Sequence, residues 1–134
     1  MIELRVQLRK KLLESPTLSI KSANGNPIEN RFLELVGDYM DKHLADPQTS
    51  ADALAEYVGL SRVQLNRKLK SITSMTTNKY IQHLRLHKAL ILLETENLNV
   101  SEVAFKTGFA SVAYFVKCFR EQFGKTPGSI QMKD

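Results

Sequence analysis

The sequence holds a single cysteine, Cys118, among its 134 residues. One thiol cannot close an intramolecular disulfide, so a small secreted fold stapled by cystines is excluded. No apolar run is longer than five residues, as in Ala89–Leu93, against about 20 for a membrane-spanning helix. No apolar core of the signal-peptide kind follows Met1–Arg5. A reducing, cytoplasmic setting without membrane contact is therefore expected. The catalytic signatures are missing as well: there is no glycine-rich phosphate loop, no Gly-x-Ser-x-Gly elbow, no His-Glu-x-x-His and no paired catalytic carboxylates. Neither an enzyme nor a cofactor is expected. Acidic residues are absent over one long stretch, residues 57–93.

What is present is globular in kind, with 43% hydrophobic and 25% charged residues. The net charge of +5 is unevenly spread. Residues 31–56 carry six acids (Glu34, Asp38, Asp41, Asp46, Asp52, Glu56) and two bases (Arg31, Lys42). Residues 57–93 carry seven bases (Arg62, Arg67, Lys68, Lys70, Lys79, Arg85, Lys88) and no acid. Such a stretch is an electrostatic footprint for phosphate. Charge alone is equally consistent with a solvated face whose acids lie elsewhere.

Along the chain, residues 1–14 are ambiguous. Ile2, Leu4, Val6 and Leu8 alternate as in a strand, whereas Leu4, Leu8 and Leu12 fit one helical face. Ser15-Pro16 through Pro27 reads as a loop. Helical periodicity begins at Asn30, a candidate N-cap, with Phe32, Leu35, Val36, Tyr39, Met40 and Leu44 on one face, and Asp46-Pro47 ends it. Thr49 or Ser50 caps a short helix to Val58, with Leu54, Ala55 and Val58 inward, and Gly59 stops it. Ser61 caps the next helix, where Leu65, Leu69 and Ile72 form the buried stripe and Arg62, Asn66, Arg67 and Lys70 point outward. Two short helices joined around a glycine are a helix-turn-helix pattern.

A longer helix is expected over Thr77–Glu94, then the pattern recurs. Asn99 or Val100 opens a short helix ended by Gly108. Ser111 caps a helix with Phe115, Phe119 and Phe123 inward, Gly124 ends it, and Thr126-Pro127 begins a last short one. The two halves align as an internal duplication. Ala55, Gly59 and Leu60 match Ala104, Gly108 and Phe109 at an offset of 49; Ser61, Leu65, Arg67, Leu69 and Lys70 match Ser111, Phe115, Lys117, Phe119 and Arg120 at an offset of 50. Core positions map to core and outward bases to outward bases. The expected fold is all-α: two helix-turn-helix subdomains, about residues 31–75 and 97–134, joined by a bridging helix over about 77–94, some seven helices in all.

These motifs resemble the DNA-binding domain of the AraC/XylS family of bacterial transcription regulators over roughly residues 31–130. The second half carries the most specific part: Arg85-x3-Ala89-x2-Leu92-Leu93, Val103-Ala104-x3-Gly108-Phe109, and Tyr114-Phe115-x3-Phe119-x4-Gly124-x-Thr126-Pro127. One position departs, Gln131, where the family often has arginine. The resemblance implies a sequence-specific regulator that places two recognition helices in adjacent major grooves of double-stranded DNA. A bridging helix of about 18 residues is roughly 27 Å long, commensurate with the roughly 34 Å between successive major-groove faces.

The family positions that reach base edges fall on Val63, Asn66 and Arg67 in the first unit and on Val112, Ala113 and Lys117 in the second. Arginine can pair bidentately with guanine and asparagine with adenine. Arg62, Lys68 and Lys70 suit phosphate, with Ser111 and Arg120 near the backbone in the second unit. Backbone N–H groups opening helices near Ser50 and Ser101 are further phosphate candidates. The second recognition face is poorer in hydrogen-bonding groups, so discrimination is expected mainly from the first.

The remaining features have plainer readings. His83 and His87, at i and i+4, lack a third metal ligand and read as surface or DNA-facing residues. Cys118, Tyr114, Phe115, Phe119 and Phe123 read as core. The acidic stretch 31–56 is either a solvated face turned from DNA or, as the resemblance implies, a contact for RNA polymerase. Residues 1–30 read as a connector to a sensory or receiver domain outside this sequence, as in two-component regulators. The rival from another class is a basic helical protein-interaction module with an acidic partner.

Overall fold

The computed structural model describes residues 26–130. The ambiguous residues 1–14, most of the expected loop after them, and Gln131 lie outside this range. The described residues form seven α-helices and no strand: α1 (Pro27–His43), α2 (Ala51–Val58), α3 (Arg62–Thr73), α4 (Thr77–Thr95), α5 (Val100–Lys106), α6 (Val112–Phe123) and α7 (Pro127–Ile130). They divide into two compact units, one of residues 26–44 with 48–84, the other of residues 45–47 with 85–130; the division falls inside α4.

In the first unit the chain enters α1 earlier than its periodicity implies. Asn26, not Asn30, is the N-cap: its Oδ1 accepts from the N–H groups of Ile28 at 2.9 Å and Glu29 at 3.4 Å. Pro27 is the first helical residue, where its fixed φ is already helical and its missing N–H would have no partner in any case. Asn30 thus falls inside the first turn. The buried stripe of α1 is Phe32, Leu33, Val36 and Met40, while Leu35, expected inward, is exposed. These residues pack with Leu54 and Ala55 of α2, Leu65 and Leu69 of α3, and Tyr80, Ile81 and Leu84 of α4.

In the second unit Leu86, Ala89, Leu90 and Leu93 of α4 pack against Val103 and Ala104 of α5, Phe109 of the turn, Phe115, Cys118 and Phe119 of α6, and Ile130 of α7. Phe109, Phe115, Phe119 and Phe123 form a chain of tilted rings with successive centroids 5.1, 5.7 and 4.7 Å apart. Each pair adds about 0.5–1.5 kcal/mol beyond the area it buries.

The duplication seen in the residues is also a duplication of hydrogen bonds. Leu60 N–H donates to the Ala55 carbonyl and Phe109 N–H to the Ala104 carbonyl, both at 3.0 Å; Gly59 N–H donates to Glu56 and Gly108 N–H to Phe105, both at 3.2 Å. This is the helix-ending pattern in which a left-handed residue turns the chain out of the helix, and Gly59 (φ +76°) and Gly108 (φ +90°) supply it. In α5 the last helical residue is Lys106, and Thr107 intervenes before Gly108. At the ends of α3 and α6 the same repeat places Ser74 (φ +64°) opposite Gly124 (φ +73°), with N–H donated to Lys70 and Arg120 at 2.9 and 2.8 Å.

Candidate nucleic-acid interface

Each unit presents one helix whose inner face is anchored and whose outer face is open. In the first it is α3. Ser61 begins it with a reciprocal cap: its Oγ accepts from Gln64 N–H at 3.1 Å, and Gln64 Oε1 accepts from Ser61 N–H at 2.9 Å. Leu65 and Leu69, wholly buried, hold the helix against its unit. Val63 is 65% exposed, and Arg67, Lys70 and Arg62 are exposed too. An open cleft of about 410 Å³ runs beside this face, lined by Arg62, Val63, Asn66, Thr76, Thr77 and Asn78 together with Ala51.

Two residues expected to be free on α3 are engaged. Asn66, read as outward, is half-buried, and its Oδ1 accepts from Thr77 N–H at 3.0 Å and from Thr77 Oγ1 at 3.4 Å. Lys68 is half-buried with its Nζ 4.6 Å above the Phe32 ring, a cation–π contact within the unit. Arg62 lies 3.8 Å from Asp52 in an exposed ion pair, an arrangement of small energetic consequence that a phosphate can displace. Ser50 caps α2 through its Oγ, which accepts from Ala53 N–H at 3.3 Å.

In the second unit the corresponding helix is α6. Ser111 Oγ accepts from Tyr114 N–H at 3.2 Å, and Phe115, Cys118 and Phe119 are its buried face. Ala113, Lys117 and Arg120 are exposed and Val112 is half-buried. Ala113, Val116, Lys117, Arg120 and Glu121 line an open groove of about 440 Å³. Ser101 sits exposed in the first turn of α5, which Asn99 and Glu102 cap reciprocally at 2.8 and 3.2 Å.

Tyr114 does not belong to the aromatic core it was read into. It is 53% exposed, because the residue beside Phe115 is turned about 100° around the helix from the buried stripe. A hydrogen bond with the Cys118 side chain one turn on, above all, raises its phenol above the ordinary tyrosine value. Its place one residue before Phe115 and five before Phe119 was the available signal, and it was masked by the aromatic residue type. Thr76, Thr77 and Asn78 were not singled out from sequence either; the Thr-Thr pair before an apolar helix was the cue.

The electropositive stretch 57–93 is less uniform on the surface than in the sequence. Arg67, Lys70, Lys79 and Lys88 are exposed, but Arg85 is buried within the second unit. Its Nη1 donates to the Thr107 carbonyl at 3.1 Å and its Nη2 to the Asp46 carbonyl at 3.3 Å. Burial pulls its pKa below the ordinary value, opposed by the Asp46 carboxylate. The six acids of residues 31–56 are all exposed. The two histidines of α4 are packed rather than free: His83 stacks near Tyr80 in the first unit (6.3 Å), and His87 meets the edge of Phe123 in the second (5.8 Å). Among the described residues no helix is long and apolar enough to cross a membrane.

Comparison with known proteins fits this architecture. A family model described as a helix-turn-helix domain matches residues 54–133. A transcriptional regulator from Chromobacterium violaceum, described as an AraC-type DNA-binding domain-containing protein, has a crystal structure that superposes with a TM-score of 0.72 at 30% identity, covering 79% of this chain and 94% of that one. The chain belongs to the AraC-type helix-turn-helix family. A second member, the DNA-binding domain of the global transcriptional factor AdpA in complex with a target DNA, superposes with a TM-score of 0.64 at 31% identity, over 70% of this chain and 84% of that one. A third match is of another kind. Histidine kinase P4 of Formosa agariphila is 32% identical over 130 residues, which are 97% of this chain but 10% of that protein. The chain spans between 10 and 40% of the length of the curated relatives it matches first.

Proposed function

We propose that residues 31–130 are the DNA-reading part of a transcription regulator, with α3 and α6 entering adjacent major grooves of one duplex. The observation that carries this reading is the repeated unit: a glycine-punctuated helix pair whose second helix is capped by serine, buried on one face and basic and open on the other. AdpA, with its target DNA, supports double-stranded DNA as the ligand. Val63, Asn66 and Arg67, with Val112, Ala113 and Lys117, meet base edges. Ser50, Arg62, Lys70, Ser101, Ser111 and Arg120 meet phosphates, as does Lys68 once it leaves Phe32.

In the whole protein, residues 1–30 connect this part to a sensory or receiver domain, a reading the match to a much longer histidine kinase supports. The present stretch acts by binding and not by chemistry, a reading supported by the helix-turn-helix family model over residues 54–133. The exposed acids Glu34, Asp38 and Asp41 of α1 are suited to RNA polymerase, and the regulator works in the cytoplasm.

The test is selection of bound sites from random duplex DNA, with affinity measured across salt. A preferred sequence bound about 10³-fold or more above random DNA is expected, with affinity falling steeply between about 50 and 200 mM salt. Binding indifferent to sequence and salt would instead favour a protein-interaction module.

A further inference from the structure

Asn66 joins the two parts of the first unit that frame its cleft. Its Oδ1 accepts from Thr77 N–H at 3.0 Å and from Thr77 Oγ1 at 3.4 Å, so α3 is tied to the first residue of α4. The orientation of the amide is determined by chemistry: a backbone N–H can only donate, so the atom facing it must be the carbonyl oxygen and not the NH2. Thr77 is 3% exposed, and a buried N–H left without an acceptor would be costly. A carboxamide oxygen has two lone pairs, and Thr77 engages both.

The internal repeat supplies an independent argument that this contact belongs to the fold. At the offset of 50, Asn66 corresponds to Val116 and Thr77 to Pro127. Proline has no N–H to satisfy, and the opposing residue there is apolar. Where the first helical residue carries an N–H, the chain has asparagine; where it carries none, the chain has valine.

The consequence concerns what Asn66 can offer a ligand. With Oδ1 held by Thr77, Nδ2 is the amide atom left to offer a ligand in the cleft that Asn66 lines with Arg62 and Val63. Pairing with adenine needs both amide atoms, one to donate to N7 and one to accept from N6. We infer that Asn66 is a specificity-determining residue of fixed polarity: tied to Thr77, it presents only a donor to the major groove, accepts the bases that offer an acceptor there (guanine, thymine, or adenine through N7 alone), rejects cytosine, and does not read adenine bidentately. This rests on the DNA-binding reading above and refines which base the first unit prefers.

The experiment is site selection from random duplex DNA with the 134-residue chain, its Asn66→Asp variant and the double variant Asn66→Val/Thr77→Pro. Aspartate keeps an oxygen for Thr77 N–H but replaces the outward donor with an acceptor. One column of the selected site that disfavours cytosine in the parent should move toward cytosine, whose N4 donates, with a change in relative preference of about tenfold. A uniform loss of affinity from the added negative charge would leave that ratio unmoved. The double variant transplants the Val116/Pro127 solution; it should melt close to the parent, while Asn66→Val alone melts lower, and it should lose preference at the same column. An Asn66→Asp site identical to the parent site, or a parent column selecting cytosine, overturns the inference while leaving DNA binding intact. A parent chain that selects no sequence overturns both.

Discussion

Arg85 Nη1 donates to the carbonyl oxygen of Thr107, 22 residues away, at 3.1 Å. Thr107 is the C-cap of α5, so the guanidinium meets the end of that helix where unpaired carbonyls carry partial negative charge. The second branch of the fork reaches Asp46. Replacing Arg85 by alanine leaves a buried carbonyl without its charged donor, and a loss of about 2–4 kcal/mol in unfolding free energy by denaturant titration is expected. Lysine should recover little of it, because a point charge cannot span both carbonyls.

Ser74 and Gly124 end equivalent helices with the same left-handed backbone, and Ser74 is the one described non-glycine residue with positive φ. A side chain in that region costs about 1–2 kcal/mol. Ser74→Gly should therefore stabilise the first unit by up to about 1 kcal/mol, and Gly124→Ser should destabilise the second by a similar amount. No atom lies within 4 Å of a Cβ built at Gly124, so the cost there is backbone strain and not collision. Thermal melts of the two variants, opposite in sign, check this.

The Tyr80 hydroxyl is buried without a hydrogen-bond partner among the described residues, and burial raises its pKa well above 10. Between the unfolded and folded pKa values the native state holds a proton that the unfolded chain has lost, so stability falls as pH rises above about 10. Tyr80→Phe removes both the orphaned hydroxyl and this titration. It should match or exceed the parent in stability at pH 7 and lose less on titration to alkaline pH, as read by circular dichroism.

Arg67 and Lys117 occupy equivalent exposed positions on α3 and α6, yet their surroundings differ. The cleft beside α3 is lined by Arg62, Asn66, Thr76, Thr77 and Asn78, groups able to hydrogen-bond; Lys117 stands among Ala113, Val116, Arg120 and Glu121. Arg67→Ala should cost about 1–3 kcal/mol and relax sequence discrimination, whereas Lys117→Ala should cost less discrimination, because the second recognition face offers base edges fewer hydrogen-bonding groups, and should lower the salt slope by about one ion. Competition binding with specific and random DNA separates the two. Equal losses of discrimination would refute the asymmetry.

Much of this molecule was readable in one dimension because its information is local. Serine caps at Ser50, Ser61 and Ser111, the glycines at 59 and 124, and the apolar spacing of α3 and α6 act within one or two helical turns, where residue type and φ/ψ preference decide the outcome. The start of α1 was misplaced for a related reason: Pro27 reads equally as the end of a loop or as the first residue of a helix, and only the Asn26 cap distinguishes them.

The sequence by itself determined the seven helices, most of their caps and the repeat that pairs α2–α3 with α5–α6. Tertiary structure decided which polar residues remain available. Asn66, Lys68 and Arg85 all look like ligand-facing groups in a list of charges and amides, yet they meet Thr77, Phe32 and Thr107, partners 11, 36 and 22 positions away. Periodicity assigns a residue to a side of its own helix; it cannot say which buried N–H or carbonyl from a distant element waits there for a partner.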